Sequence, residues 1–160
     1  MVFIDLSGSC DQTSTCVTFM FTANKIGAMP LACVLHTEQT EANYTLAFLA
    51  VKQAFESTKK KFKPKVIMTD DSPAERNALK AVFPSAHLLL CILHICQAVW
   101  RWLWQREHKV EKNDRNIIMK LFRDILFSTT PEEAEENATR FFSTEKVINN
   151  KCMKFMEALI

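Results

Sequence analysis

Residues Lys65–His94 read KVIMTDDSPAERNALKAVFPSAHLLLCILH, and this stretch decides the fold. A short apolar run, Val66-Ile67-Met68, ends on Thr69-Asp70-Asp71. Ser72-Pro73 then opens an amphipathic run in which Ala74, Leu79, Val82 and Phe83 form an apolar stripe at near-helical spacing, with Glu75, Arg76 and Lys80 outside it. Pro84-Ser85 breaks the run, and a second apolar strand, Leu88-Leu89-Leu90, leads straight into Cys91-Ile92-Leu93-His94. The order is strand, acidic tip, helix, strand, thiol and imidazole. Carboxylates at the C-terminal end of a buried strand stand where α/β sheets gather their chemistry. A plainer reading has Asp70 or Asp71 capping the next helix, and spacing alone leaves the two readings even. Ser72 could serve as the cap instead, with Pro73 at the first helical position and Glu75 completing a capping box. That arrangement leaves Asp70 and Asp71 for another role.

Working outward, the N-terminal side reads as three strands. Met1-Val2-Phe3-Ile4-Asp5 is apolar from its first residue and ends on an aspartate, much as the fourth strand ends on Asp70. So abrupt a start suggests that residues upstream have been lost. Leu6-Ser7-Gly8-Ser9 is turn chemistry. Thr15–Thr22 is rich in Thr, Val and Phe and reads as a strand, and Asn24-Lys25-Ile26-Gly27 reads as a hairpin loop before a third strand at Pro30–Thr37. A helix capped by Thr40 follows to about Ser57, with Lys59-Lys60-Lys61 as its basic exit.

The C-terminal side is helical. The first run continues from Cys91 to about Arg106 and carries Trp100, Trp102 and Trp104, which cannot all face one way. The second, Arg115–Phe127, has a stripe of Ile117, Ile118, Leu121, Phe122, Ile125 and Leu126. The third opens at Thr130-Pro131-Glu132-Glu133, with Thr130 as cap and Glu133 closing a capping box. The last run, Lys146–Ile160, is still apolar at Phe155, Met156, Leu159 and Ile160, as if the chain were truncated. Arg101, Arg106, Lys109, Lys112 and Arg115 make the densest basic stretch, read first as solvated helix ends.

Composition narrows the classes. The chain has 160 residues, 48% hydrophobic and 24% charged, which suits a packed domain and not a disordered one. A net charge of +2 does not by itself announce nucleic acid. The six cysteines, at positions 10, 16, 33, 91, 96 and 152, lack framework spacing and read as reduced thiols of an intracellular protein. No apolar run approaches the roughly 20 residues of a membrane span, and two glycines rule out a Gly-rich phosphate loop.

Three antiparallel strands followed by β-α-β units predict an α/β fold with a mixed five-stranded sheet, in the ribonuclease H-like order. The first and fourth strands then lie side by side, which brings Asp5 and Asp70 together on rigid elements. Two carboxylates so held can share divalent cations about 3.5–4 Å apart.

These residues resemble the transposase domain of Mutator-like elements. The markers are FIDLSGSCDQT, a strand ending near Pro30, the Thr69-Asp70 pair, the helix containing ALKAVFP, and the C-x-x-H of Cys91 and His94. The resemblance covers about residues 1–100 and divides the chain into a partial catalytic core, residues 1–99, and an all-α insertion, residues 100–160. It implies a DDE-type enzyme that cleaves DNA at transposon ends and transfers strands, a nuclear protein whose partner is DNA and whose cofactor is Mg2+ or Mn2+. Asp5 is then the first catalytic and metal-holding carboxylate and Asp70 the second, with Asp71 as its less favoured neighbour. The family's third acid, a Glu beyond the insertion, has no match here. Glu132, Glu133, Glu135 and Glu136 belong to the insertion-type helix, and Glu157 lacks the Asn-rich context. The chain alone is therefore expected to be inactive. A zinc role for Cys91 and His94 is disfavoured, because a structural site needs about four ligands and only distant cysteines could complete it. Three alternatives stay open: a transposase core fragment, a domesticated module that kept the fold to bind protein or nucleic acid, and, more distantly, another hydrolase with the same two-Asp sheet.

Overall fold

Alternating inward side chains at Val2 and Ile4, and at Cys16, Thr18 and Met20, make the first two strands half-buried ribbons. In the computed structural model, which describes residues 1–7, 12, 15–58 and 61–149, they are β1 (Val2–Ser7) and β2 (Cys16–Ala23). β3 (Ala28–His36), β4 (Val66–Thr69) and β5 (His87–Leu90) complete one mixed sheet of order β3-β2-β1-β4-β5. β1 is central, antiparallel to β2 and parallel to β4, and β4 is parallel to β5. The expected α/β class and five-strand sheet are thus present. β1 runs on through Ser7, where turn chemistry was expected, because Leu6 and Ser7 still pair with Thr18 and Val17. The β2–β3 turn is fastened by Asn24, whose Oδ1 accepts the amides of Ile26 and Gly27 at 2.8 and 3.0 Å. Gly27 has φ 147°, a conformation that L side chains rarely adopt. Pro30 lies on the outer strand β3, opposite a register shift at Met20/Phe21, where its missing N–H is tolerated.

Two helices bury the inward side chains of the sheet. α1 (Glu41–Ser57) is capped by Thr40, whose hydroxyl accepts the Asn43 amide, and α2 (Pro73–Val82) is capped by Ser72 in the same way. Their apolar faces close on β1, β2 and β4 in a core of Met20, Tyr44, Phe48, Ile67, Leu79 and Val82. Each large side chain taken fully from water there contributes roughly 1.5–3 kcal/mol. His36 closes the β3 end: its Nδ1–H donates to the Glu38 carbonyl at 3.0 Å, which leaves Nε2 to accept the Thr18 hydroxyl at 2.8 Å.

The chain forms two compact units, residues 1–91 and 92–160. The division falls before the third helix. The second unit holds α3 (Ile92–Trp104), a 3-10 turn at Arg106–His108, α4 (Lys112–Leu126), α5 (Pro131–Ser143) and α6 (Glu145–Asn149). Ile95, Val99 and Leu103 recur at four-residue intervals on α3 and are buried, as are Ile118, Phe122 and Ile125 on α4. Phe122 meets Phe141 of α5 edge to face at 6.0 Å. α3 stops at Trp104, short of the expected Arg106, and Lys109 turns the chain in a left-handed conformation at φ 51°. α4 begins three residues before Arg115. Thr130 caps α5 as expected, but the Glu133 carboxylate reaches past the cap and accepts the Thr129 amide at 2.7 Å. The apolar tail of the last run, with Glu157 and Cys152, and also Cys10, Lys59 and Lys60, lie outside the described residues. No helix among the described residues is long and apolar enough to cross a membrane.

Candidate active site

The parallel pairing of β1 with β4 sets Val2 against Ile67 and Phe3 against Met68. Carried two residues further, that register brings Asp5 level with Asp70 at the C-terminal ends of adjacent strands. Alternation puts Val2 and Ile4, like Ile67 and Thr69, toward the helices, so Asp5 and Asp70 fall on the opposite face. Asp5 is exposed and Asp70 half-buried.

The turn after β4 is cross-tied. Asp70 Oδ1 accepts the Ser72 amide at 3.1 Å, and Ser72 Oγ accepts the Glu75 amide at 3.4 Å. Asp71 pairs with Arg76 at 3.1 Å. Neither aspartate is therefore left over by the Ser72 cap. Asp70 supplies the reciprocal bond that a capping box would have drawn from Glu75, and Asp71 is held at the surface by its arginine. Fixing one oxygen of Asp70 sets the direction of its carboxyl group while the second oxygen remains as a donor for a cation.

Glu75 is where the structure departs most from the sequence expectation. Placed outside the apolar stripe from the sequence, it is 1% exposed, and its carboxyl accepts the hydroxyl of Thr69, which is 0% exposed. The signal was available: Glu75 stands three, four and seven residues before the buried Ala78, Leu79 and Val82, on the same face. Burial pushes its carboxyl up to about 8, and Asp70 and then Asp5 push it in the same direction. The group is protonated at neutral pH, and it registers the negative charge that the two aspartates concentrate.

Tyr44 was also missed, hidden in a helix apolar on most sides. It is 1% exposed, and its hydroxyl has no hydrogen-bond partner among the described residues. Its phenol is raised above its ordinary range by burial, then by Glu75, Asp70 and Cys16. It stays a neutral side chain beside the acidic end of the sheet.

Cys91 is the residue before α3, so it does not share a helix face with His94 as the three-residue spacing suggested. Its amide donates to the Thr69 carbonyl at 2.9 Å, next to Asp70, while His94 is half-buried in the helical unit. Among the described residues no three His, Cys, Asp or Glu side chains converge as a metal-ligand set. Asp5 and Asp70 would offer carboxylate oxygens, the donor type that suits a hard divalent cation such as Mg2+. The fit rests on oxygen chemistry and on the excess negative charge felt at Glu75.

No curated protein matches the sequence. The family model described as the MULE transposase domain matches residues 10–98, which takes in Asp70, Cys91 and His94 and leaves Asp5 just outside. That match spans more than half of the 160 residues, and the chain belongs to the MULE transposase domain family.

Proposed function

We propose that this chain is the core of a DDE-type transposase with a ribonuclease H-like sheet, in which Asp5 and Asp70 are the first two catalytic carboxylates. The observation that supports the reading is the parallel register of β1 on β4, Val2 with Ile67 and Phe3 with Met68, from which Asp5 and Asp70 would come level at the C-terminal ends of the two strands. Membership of the family supports it independently. Asp5 and Asp70 would hold the divalent cation, Mg2+ or Mn2+, which when bound activates water or a 3′-hydroxyl and stabilises the leaving oxygen. The chain's own part is positional: the Ser72 amide orients Asp70, and Thr69 anchored to Glu75 holds the strand end rigid. The substrate would be DNA at transposon ends, and the compartment the nucleus. A zinc site at Cys91 and His94 forms no part of this reading.

Two carboxylates supply only part of a two-metal site, and Glu75 is engaged with Thr69 inside the core. We therefore expect the chain alone to lack DNA cleavage, since misplacing one metal costs several orders of magnitude in rate. A second reading, a domesticated module that binds protein or nucleic acid through the same fold, is favoured by the absence of a convergent third acid among the described residues. The test is a nicking assay with magnesium or manganese on DNA carrying candidate terminal repeats, with Asp70→Asn as control. No cleavage, together with weak metal binding that the control removes, is the expected outcome. Robust cleavage abolished by Asp70→Asn would overturn the inactivity of the isolated chain.

A further inference from the structure

The helical unit carries a groove that the carboxylate pair does not explain. It lies between α3 and α4, has a volume of about 540 Å3, and is lined by Trp100, Asn116, Met119, Lys120, Arg123, Asp124 and Phe127. Three aromatic rings near it are well exposed: Trp100 at 41%, Trp104 at 47% and Phe127 at 57%. Apolar rings gathered at one place on a surface mark an interaction site more than singly exposed ones do. Trp102, by contrast, stacks on His108 at 3.9 Å. Trp100 lies 5.5 Å from Trp104. Cations accompany the rings, with Arg115 over Trp104 at 4.3 Å and Arg123 over Phe127 at 5.5 Å.

The charge balance selects the occupant. Between Ile92 and Phe127 seven Lys and Arg stand against four Asp and Glu, whereas the whole chain is only +2. Both carboxylates of α4 are engaged by cations from other helices: Asp124 by Arg140 of α5 at 2.9 Å, and Asp114 by Lys146 of α6. Lys120 and Arg123 of α4 are exposed beside the groove. Exposed planar rings interleaved with exposed cations match a polyanion that also has flat apolar faces. A protein helix would use the rings but has no need of the cations. Duplex DNA would use the cations but keeps its bases stacked inside.

We propose that the α3–α4 groove binds a single nucleic-acid strand, with bases stacking on Trp100 and Phe127 and phosphates held by Lys120 and Arg123. The inference rests on the reading of the chain as a DNA-handling protein and names where it grips an unpaired strand. Base stacking on one aromatic side chain contributes roughly 1–3 kcal/mol, so losing the Trp100 ring should lower affinity about tenfold. Removing one phosphate-binding cation should reduce the slope of log affinity against log salt by about 0.7.

The experiment titrates the full 160-residue chain with fluorescein-labelled oligothymidylate of about 20 nucleotides. Anisotropy and tryptophan emission are followed at several salt concentrations. A duplex of equal length and the base-free polyanion polyvinyl sulfate serve as competitors. The expected result is binding with quenched tryptophan emission, tighter for the single strand than for the duplex. Trp100→Ala should weaken it about tenfold, Trp100→Phe should restore most of the loss, and Lys120→Ala or Arg123→Ala should lower the salt slope. Circular dichroism of each variant separates weakened strand binding from a failure to fold. No binding at low salt, equal binding of strand and duplex, full competition by polyvinyl sulfate, or indifference to Trp100→Ala in a folded protein would each overturn the groove assignment. Asp70→Asn keeps the two ideas apart. It should abolish metal binding and leave strand binding intact, so loss of one property without the other shows which reading fails.

Discussion

Replacing Glu75 by Gln removes a buried acid that ionises only at alkaline pH, while keeping the shape of the side chain and an oxygen to accept the Thr69 hydroxyl. In the folded protein the Glu75 carboxyl is pushed from 4.5 up to about 8, first by burial and then by Asp70 and Asp5. Between those two values the unfolded chain has lost the proton and the folded chain still holds it, so the folded state binds more protons and stability falls as pH rises. Below the lower value both states are protonated and the group contributes no pH dependence. Above the upper value the penalty is complete. At about 1.4 kcal/mol per pH unit the interval corresponds to a ceiling of about 5 kcal/mol. Local relaxation and water around the ionised form reduce this, so we expect a gap of about 2–5 kcal/mol in favour of Glu75→Gln at about pH 9. Against a typical stability of 5–15 kcal/mol that is a large effect. The assay is urea unfolding of both proteins at pH values below, between and above these limits, with a chelator present. The curves should meet at the acidic end and separate steadily toward the alkaline end. Saturating magnesium should narrow the gap, because a cation between Asp5 and Asp70 offsets two of the three causes. Parallel pH curves for the two proteins would refute the buried-acid argument.

The neighbouring residues allow narrower tests. Thr69→Val should cost about 1–3 kcal/mol, because it strands the Glu75 carboxyl without its hydroxyl partner; urea unfolding reads this, and a neutral effect would show that the bond carries no weight. Ser72→Ala removes the cap of α2 and should cost about 1 kcal/mol, whereas Ser72→Gly, a residue the N-cap position tolerates, should cost only a few tenths of a kcal/mol by the same measurement. Tyr44→Phe deletes a buried hydroxyl that has no hydrogen-bond partner among the described residues, so its stability should match or exceed the wild type. A clear loss in that variant would reveal a bond the phenol makes in solution.

The sheet was legible because its signals are local. β1, β2 and β4 are short runs rich in β-branched or aromatic residues, and Thr40, Ser72 and Thr130 cap their helices by the same chemistry wherever they occur. The adjacency of the first and fourth strands followed from their order in the chain. What escaped was chemistry decided by tertiary position. A glutamate at the start of an amphipathic helix reads as a solvent-facing partner of its cap. Only the enclosure of Glu75 by the core around Thr69 and Leu79 makes it a buried acid. Glu133 bonds one residue upstream of the expected amide, because Thr129 offers both an amide and a hydroxyl to the same oxygen. The C-x-x-H spacing suggested one helical face, yet the Cys91 amide is bound to the end of β4 and the helix starts after it. The exposure of Trp100 and Trp104 together could not be read from spacing, since it depends on how α4 lies against α3.

The central claim is that Asp5 and Asp70 form one cation-holding pair, and manganese binding tests it most directly. Electron paramagnetic resonance of free Mn2+ would be followed during titration with the full chain, with Asp5→Asn, with Asp70→Asn and with the double variant. The account predicts weak binding by the wild type, loss in each single variant, and no further loss in the double variant, because both side chains serve one site. Binding that survives either substitution unchanged in a folded protein would contradict it.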